Sequence, residues 1–142
     1  IYCKTGIRIS FPIIADRNAQ IARKYGMISN DVSNTKTVRN VFIIDDKQIV
    51  RTILVYPLNI GRFIPEIIRI IQALQMADCS EGSTAANWMP GNPVIVSPPQ
   101  TYEQLVERIN SINENNNGIT WYLSFKEPPE KCIDKKEDCE NN

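Results

Sequence analysis

The chain has 142 residues with 16 basic and 16 acidic side chains, so its formal net charge is zero. That length is enough for one domain with its own hydrophobic core. Zero net charge without a basic run argues against nucleic acid or an anionic membrane as a partner. No apolar stretch reaches the roughly 18 residues that a bilayer-spanning helix needs. The absence of histidine removes the commonest general base and the commonest zinc ligand.

The first half of the chain predicts a strand, a helix and two further strands. Residues 11–15 form a short apolar run that is typical of a strand. Asp16 is placed to cap a helix, and Gly26 is placed to end it. Residues 37–44 and 48–56 then predict two strands. The turn-forming residues between these strands predict an antiparallel hairpin.

The second half begins with the clearest helix of the sequence, residues 62–76. Its isoleucines cover more than one stripe, so we expect this helix to be buried around most of its circumference. Residues 78–100 are rich in proline, glycine and serine, and a capping box at residues 101–104 predicts the start of another helix. Residues 119–125 alternate like a strand. The charged residues 126–142 are expected to form a mobile tail.

The strand at residues 37–44 is apolar on both faces apart from one arginine. Val41 and Ile43 share one face with Arg39, and the opposite face is apolar as well. Strands of this kind lie in sheets that are covered by helices on each side. A guanidinium cannot lose its charge, so Arg39 needs either a structural carboxylate or a negative group supplied from elsewhere. From periodicity alone both alternatives stay open.

A series of short sequence words surrounds Arg39 in a characteristic order and spacing. The words are Phe-Pro-Ile-Ile-Ala-Asp at 11–16, Ala-Arg-Lys-Tyr-Gly at 22–26, Thr-Val-Arg-Asn-Val-Phe-Ile-Ile-Asp at 37–45, Tyr-Pro at 56–57, Gly-Arg at 61–62, Ala-Asn-Trp-Met-Pro-Gly at 86–91 and Val-Ile-Val-Ser-Pro-Pro at 94–99. Taken together, over about residues 7–125, they resemble the second half of a peroxiredoxin of the one-cysteine or archaeal-type group. No single word would be specific.

The resemblance implies an α/β fold in two parts. Residues 1–76 would be the C-terminal half of a thioredoxin-like peroxidase domain, and residues 77–142 a C-terminal dimerisation extension that ends in the mobile tail. The family reduces peroxide with a peroxidatic cysteine in a Pro-x-x-x-Thr-x-x-Cys motif, and no such motif occurs in these residues. We therefore expect this chain to be the C-terminal portion of a longer protein and to be inactive alone. Residues 1–6 would be the end of a helix that begins upstream.

The activity implied by the resemblance is thiol-dependent reduction of hydrogen peroxide and organic hydroperoxides, in antioxidant defence and redox homeostasis. The implied partners are a second copy of the chain in a homodimer, with a ring of dimers left open, and an external thiol reductant such as thioredoxin. No cofactor is implied, neither metal nor flavin, and the expected location is cytoplasmic. The alternative is a non-catalytic fragment that acts only as an oligomerisation module.

Four aromatic residues could serve as packing or interface anchors: Trp88, Trp121, Tyr122 and Phe125. The resemblance implies interface anchors, because the family's C-terminal extension reaches across a two-fold axis to a second subunit.

Arg39 and Arg62 are the candidate catalytic residues. The resemblance implies that Arg39 lies against the peroxidatic sulfur. A fixed positive charge there favours thiolate over thiol, and the fork of donors can hold the peroxide oxygens. Arg62 would be a second cation behind the first. From the residues alone, the alternative for Arg62 is an ion pair with Glu66 one helical turn on.

The four cysteines are scattered through the chain and none forms a Cys-x-x-Cys motif, so a zinc site is not expected. With nothing to suggest secretion, we expect reduced thiols. Cys132 and Cys139 lie in the charged tail and are candidate resolving cysteines. Acidic neighbours raise the pKa of a thiol, so the alternative is that both are tail thiols without a catalytic task. Cys3 and Cys79 are interpreted as incidental.

Overall fold

The computed structural model describes residue 6 and residues 8–28, 37–115 and 118–133. The chain divides into two compact units, the first ending at Arg62 and the second beginning at Phe63. The predicted domain boundary between residues 76 and 77 falls inside a helix of the second unit, and the functional division of the chain stays a prediction. Across these described residues, no helix is both long enough and apolar enough to cross a membrane.

A short helix with well-formed ends opens the first unit. Both carboxylate oxygens of Asp16 accept backbone N–H groups of helix α1 (Gln20–Lys24), at 3.1 and 2.8 Å. Gly26 follows the helix with φ of 65°, and the N–H groups of Gly26 and Met27 donate to helix carbonyls as in a Schellman motif. Gly26 ends the helix as predicted. Asp16 caps its first turn, but the helix begins only at Gln20, after Ala19 at φ of 56°, and so later than predicted. Residues 11–15 are not a strand, because no described strand pairs with them.

Strands β1 (Arg39–Ile44) and β2 (Val50–Tyr56) form the predicted antiparallel hairpin, in which Arg39 pairs with Tyr56 at the open end. Every residue of β1 is at least partly exposed, so the expectation of a strand buried on both faces is wrong for this structure. Within the first unit, the short helix α1 is the only described helix. Tyr25, directly after this helix, makes one ring contact with Phe42, with centroids 5.0 Å apart.

Asp45 organises the turn of this hairpin. Its Oδ1 accepts the backbone N–H groups of Lys47 and Ile49, at 3.0 and 2.9 Å, and its Oδ2 accepts a hydrogen bond from Arg51 at 3.3 Å. The bond from Ile49, together with those from Arg51 and Lys47, holds the pKa of Asp45 below its ordinary value. A carboxylate that satisfies two backbone donors is a strong local signal for a tight turn.

The second unit combines helices with one antiparallel sheet. The sheet has the strand order β3-β4-β6-β5. In chain order, its elements are α2 (Ile64–Ser80), β3 (Gly82–Thr84), β4 (Val94–Val96), α3 (Tyr102–Asn115), β5 (Gly118–Thr120), β6 (Leu123–Lys126) and α4 (Glu130–Ile133).

Helix α2 differs from its prediction in extent and in burial. It begins two residues later than predicted and continues to Ser80. Ile64, Ile68 and Ile71 are 56, 51 and 38 % exposed, so the helix is not buried around most of its circumference. These residues follow one another at spacings of four and three and therefore form a single exposed stripe. Met76, by contrast, is buried.

Helix α3 begins at the predicted capping box. The backbone N–H of Gln104 donates to the Thr101 hydroxyl at 3.3 Å, as the motif requires. The side chain of Gln104 does not return to Thr101, however. Its Oε1 accepts the N–H of Gln100 instead, at 2.9 Å, so the box caps the helix and also fixes the residue before it.

The last part of the described chain is more ordered than its sequence suggested. Residues 119–125 are not one strand, because Trp121 and Tyr122 form a turn between β5 and β6. Residues 126–133, predicted to be mobile, contain the end of β6, the buried Pro128 and helix α4. The remainder of the predicted tail lies outside the described residues.

The core of the second unit is small and centres on Trp88. Met76, Trp88 and Val94 are 6, 2 and 0 % exposed and form one cluster, against which Cys132 packs. The indole N–H of Trp88 donates to the carbonyl of Asn92 at 3.0 Å, so its polar atom is satisfied where the ring is buried. Trp88 is therefore a packing anchor of the core, whereas the resemblance implied an interface anchor.

Strand β3 lies so close to β4 that a glycine is needed between them. A Cβ atom added to Gly82 would lie 2.8 Å from the carbonyl oxygen of Ile95. We expect Gly82→Ala to lower the free energy of unfolding by about 1–3 kcal/mol, the usual cost of overpacking. Ser83→Ala, at an exposed position of the same strand, is the matched control. Equal urea midpoints for the two variants would show that the strands separate without cost.

Candidate active site

Two arginines of the first unit are held at the open end of the hairpin. Arg39 begins β1, and Arg62 follows the loop after β2. Nη1 of Arg39 donates to the carbonyl oxygen of Ile60 at 3.2 Å, and Nη2 of Arg62 donates to the carbonyl oxygen of Asn40 at 3.3 Å. Each arginine thus binds the backbone of the segment that carries the other. The structure brings the two predicted catalytic residues together.

The acceptors of both guanidinium groups are neutral. A backbone carbonyl occupies one of the five N–H donors of an arginine and does not cancel its charge. Among the described residues, the ion pairs are Arg51 with Asp45 and Arg69 with Glu66, and neither includes Arg39 or Arg62. Arg39 is half-buried and Arg62 is exposed. The arrangement therefore provides two positive charges with donors left for an anionic group.

Glu66, the alternative partner of Arg62, is engaged elsewhere. Arg69 binds it with two parallel hydrogen bonds, at 2.7 Å to Oε2 and 2.8 Å to Oε1. The hydrogen bond from Arg69, with its charge, lowers the pKa of Glu66. Arg69 also donates to the carbonyl of Trp88 at 3.0 Å. This arginine therefore links α2 to the loop that places Trp88 in the core.

The Glu66–Arg69 pair predicts a dependence of stability on pH. Because the pKa of Glu66 is lower in the folded chain, its contribution is present above the ordinary value of 4.5 and is lost as the pH falls through the folded value. Glu66→Gln should therefore be less stable than the parent at neutral pH, and the difference should shrink in acid. Urea unfolding from pH 7 to pH 3 measures it. Glu107→Gln, at an exposed position of α3, is the control, and a difference that persists at pH 3 would contradict the assignment.

Sequence reasoning missed the residues that hold the two arginines. Ile60 and Asn40 contribute backbone carbonyl oxygens, and an acceptor of that kind leaves no signal in the residue type. The only available hint was proximity, because Asn40 follows Arg39 and Ile60 lies two residues before Arg62. The side-chain Oδ1 of Asn40 is buried and has no hydrogen-bond partner within the described part of the chain.

The cysteines depart from their prediction. Cys79 and Cys132 form a disulfide with their Cα atoms 5.9 Å apart, so the expectation of reduced thiols is wrong for this pair. Cys79 is not incidental, because it fixes α4 to α2. The two residues are 53 positions apart in the sequence, and only the fold brings them together. Cys3 and Cys139 lie outside the described residues. Over the residues that are described, no group of three potential metal ligands occurs.

Two family models match this chain. The AhpC/TSA family matches residues 3–53, and the C-terminal domain of 1-Cys peroxiredoxin matches residues 73–111. Peroxiredoxin 2 of Caldanaerobacter subterraneus is 55 % identical over 126 residues, which are 89 % of this chain and 57 % of that protein. A peroxiredoxin of Aquifex aeolicus is 46 % identical over 133 residues, covering 87 % of this chain and 59 % of the relative.

Solved structures give the same result. Yeast mitochondrial 1-Cys peroxiredoxin is 31 % identical, with a TM-score of 0.70 over 89 % of this chain and 61 % of its own. A cysteine-to-serine mutant of peroxiredoxin 6 of Arenicola marina is 28 % identical, with a TM-score of 0.67 over 91 % of this chain and 62 % of its own. The chain spans less than two thirds of the length of each of these relatives. With its α/β architecture and this pattern of matches, the chain belongs to the peroxiredoxin family.

Proposed function

We propose that this chain contributes to a thiol-dependent peroxidase whose peroxidatic cysteine is supplied by a segment outside these 142 residues. The observation that carries the proposal is the pair of arginines at the end of the hairpin. Arg39 and Arg62 are fixed in place by backbone carbonyls, and their charges face no carboxylate among the described residues. A site of this kind suits an anion that arrives from another segment, and a thiolate is such an anion.

In the proposed reaction, the thiolate attacks one oxygen of the peroxide. The S–O bond forms as the O–O bond breaks, and the departing oxygen takes a proton and leaves as water or an alcohol. The guanidinium of Arg39 acts twice. Its charge lowers the pKa of the thiol, which raises the fraction of thiolate, and its free donors stabilise the negative charge that moves onto the oxygens. One external thiol then condenses with the sulfenic acid, forming a mixed disulfide and releasing water, and a second thiol reduces that disulfide, which restores the peroxidatic thiol and leaves the two external thiols joined as a disulfide.

Arg62 has a positioning role in this proposal. Its bond to the carbonyl of Asn40 fixes the start of β1, which carries Arg39. Its positive charge adds to the field at the same end of the hairpin. Arg39 is therefore the group proposed to contact the reacting atoms, and Arg62 acts mainly through the strand and the field.

An external thiol is the proposed reductant. The thiol of the yeast mitochondrial relative is resolved through glutathione and thioredoxin systems, which favours a small or protein thiol of that type here as well. Cys132 can act as a resolving thiol only after its disulfide with Cys79 opens, and Cys139 lies outside the described residues. A cytoplasmic location stays a prediction.

A chimera tests the peroxidase function. The part of the Caldanaerobacter relative that precedes its match to this chain is joined to residue 1, and peroxide consumption is measured with dithiothreitol as the reductant. We expect turnover by the chimera and none by the 142-residue chain alone, since the nucleophile lies in the added part. Enzymatic turnover by the chain alone would overturn the placement of the nucleophile. A folded chimera without turnover would favour the oligomerisation module.

We also propose a homodimer that forms through the β5–β6 hairpin, while assembly of dimers into a ring stays open. The supporting observation is an exposed apolar group at its turn. Ile119, Trp121 and Tyr122 are 73, 47 and 56 % exposed, and the rings of Trp121 and Tyr122 meet edge to face with centroids 5.3 Å apart. Aromatic residues exposed in this way are enriched at interfaces.

Sedimentation velocity tests the dimer. Trp121→Ala combined with Tyr122→Ala should weaken self-association at least about tenfold, since aromatic anchors commonly contribute more than 1.4 kcal/mol to binding. Tyr102→Phe is the control, because Tyr102 is 75 % exposed on a different element, α3. An unchanged dissociation constant for the double variant would place the interface elsewhere.

A further inference from the structure

The disulfide is the covalent link between helix α4 and α2. The helix has four residues, Glu130–Ile133, which is far below the length at which an isolated helix is stable in water. Cys132 attaches it covalently to Cys79 in the last turn of α2. The backbone N–H of Cys132 also donates to the carbonyl of Pro129 at 2.8 Å, but that bond lies within the same segment and cannot hold it on α2.

The same cysteine covers the core. Cys132 packs against the cluster of Met76, Trp88 and Val94, which forms the hydrophobic core described in the second unit. A core of three residues buries little apolar surface, so uncovering part of it removes a large share of its stabilising free energy. Loss of α4 would therefore uncover one side of the cluster, and Trp88 would report the change through its indole.

Both cysteines of the disulfide are only partly buried. Neither Cys79 nor Cys132 is fully buried, and Lys131, next to Cys132, is exposed. Thiol–disulfide exchange requires a thiolate to approach one sulfur along the S–S axis, so a partly exposed disulfide can react where a core disulfide cannot. The bond that an external thiolate can attack is therefore also the bond whose loss would uncover the core.

We propose that the Cys79–Cys132 disulfide is a redox-controlled clasp that an external dithiol opens, releasing α4 from α2. One thiolate of the dithiol attacks a sulfur of the clasp, and the displaced cysteine leaves as a thiolate and takes up a proton. The second thiol of the dithiol then breaks the mixed disulfide. Two electrons pass to the chain, the dithiol becomes a disulfide, and both cysteines end as thiols. The clasp does not depend on the peroxidase activity proposed above.

The test uses the full chain carrying Cys3→Ser and Cys139→Ser, so that one disulfide is possible. Iodoacetamide should add no label to the purified chain and two labels after dithiothreitol. Limited trypsin digestion, followed by mass spectrometry, should show cleavage after Lys131 rising at least about tenfold on reduction, because proteolysis follows the population of the open form. Cleavage after Lys24, which is exposed in the first unit, is the internal control and should not change.

Two further measurements distinguish a disulfide that opens and closes reversibly from one that is purely structural. Re-oxidation should restore slow cleavage after Lys131, and adding Cys132→Ser should give fast cleavage with or without dithiothreitol. With Trp121→Phe as background, the emission of Trp88 should shift to longer wavelength on reduction and return on re-oxidation. Three results would each overturn the proposal: equal cleavage of the oxidised and reduced chains, addition of two iodoacetamide labels without a reductant, or a loss of protection at Lys131 that re-oxidation does not reverse.

Discussion

In the chimeric peroxidase, Arg39→Lys should lower kcat/KM for hydrogen peroxide by about 10²–10³-fold, the size of effect seen when one preorganised donor to a transition-state oxygen is removed. Lysine keeps the positive charge but lacks the planar fork of donors. It also cannot both bind the carbonyl of Ile60 and present parallel N–H groups to a second acceptor, as the guanidinium of Arg39 can.

A second variant separates the effect of the positive charge from that of the donor geometry. Arg39→Met removes the charge and the donors together, so it should also raise the pKa of the peroxidatic thiol. Arg39→Lys keeps the charge and should leave that pKa close to the parent value. The pH dependence of thiol alkylation measures the difference. Arg51→Lys is the control, because Arg51 lies in the same hairpin and pairs with Asp45 beside the turn. If Arg51→Lys impaired turnover as much as Arg39→Lys, the effect would come from the hairpin and not from the site.

Trp88→Ala should destabilise the second unit by about 3–5 kcal/mol, the range observed when a large aromatic side chain is removed from a core. Trp88 is 2 % exposed, and its indole N–H is bonded to the carbonyl of Asn92. Truncation therefore leaves a cavity and also an unpaired acceptor. Since domains are stable by only about 5–15 kcal/mol, this one change removes a large share of the total.

The other tryptophan provides the control for this experiment. Trp121 is 47 % exposed in a turn, so at protein concentrations at which the chain is monomeric, Trp121→Ala should change the free energy of unfolding by less than about 1 kcal/mol. Urea unfolding followed by far-ultraviolet circular dichroism suits both variants, because it does not rely on tryptophan fluorescence. A Trp88→Ala chain as stable as Trp121→Ala would mean that the core lies elsewhere in the second unit.

The parts of the fold that were predictable from sequence are those specified by neighbouring residues. Asp16 and Gly26 mark the ends of α1, Thr101 caps α3, and the turn at Asp45 closes the hairpin. Each of these signals acts over at most six residues, and a local hydrogen bond carries it. Arg39 stands out in the sequence as a candidate site residue, because a charged side chain interrupts an apolar strand, and its role stays a prediction.

The sequence-based predictions that proved wrong concern contacts between residues far apart in the sequence. Nothing near Cys79 in the sequence indicates that its partner is Cys132. The exposure of Ile68 also could not be predicted from its own helix. A hydrophobic stripe indicates that a helix surface can be buried, but it does not indicate whether this chain contains the residues that would pack against it. The same holds for the acceptors of the two arginines, which are backbone atoms contributed by another segment.

The turn at Asp45 also bears on the order in which the two sheets can form. Strands β1 and β2 meet through a few residues whose backbone donors are already satisfied, so closing that loop loses little chain entropy. Strand β4 must instead find β6 across the whole of α3, with Val94 opposite Lys126. Contacts between residues far apart in sequence form slowly. The hairpin bearing Arg39 is thus the natural early folding element, and the Trp88 unit is the slower one to complete.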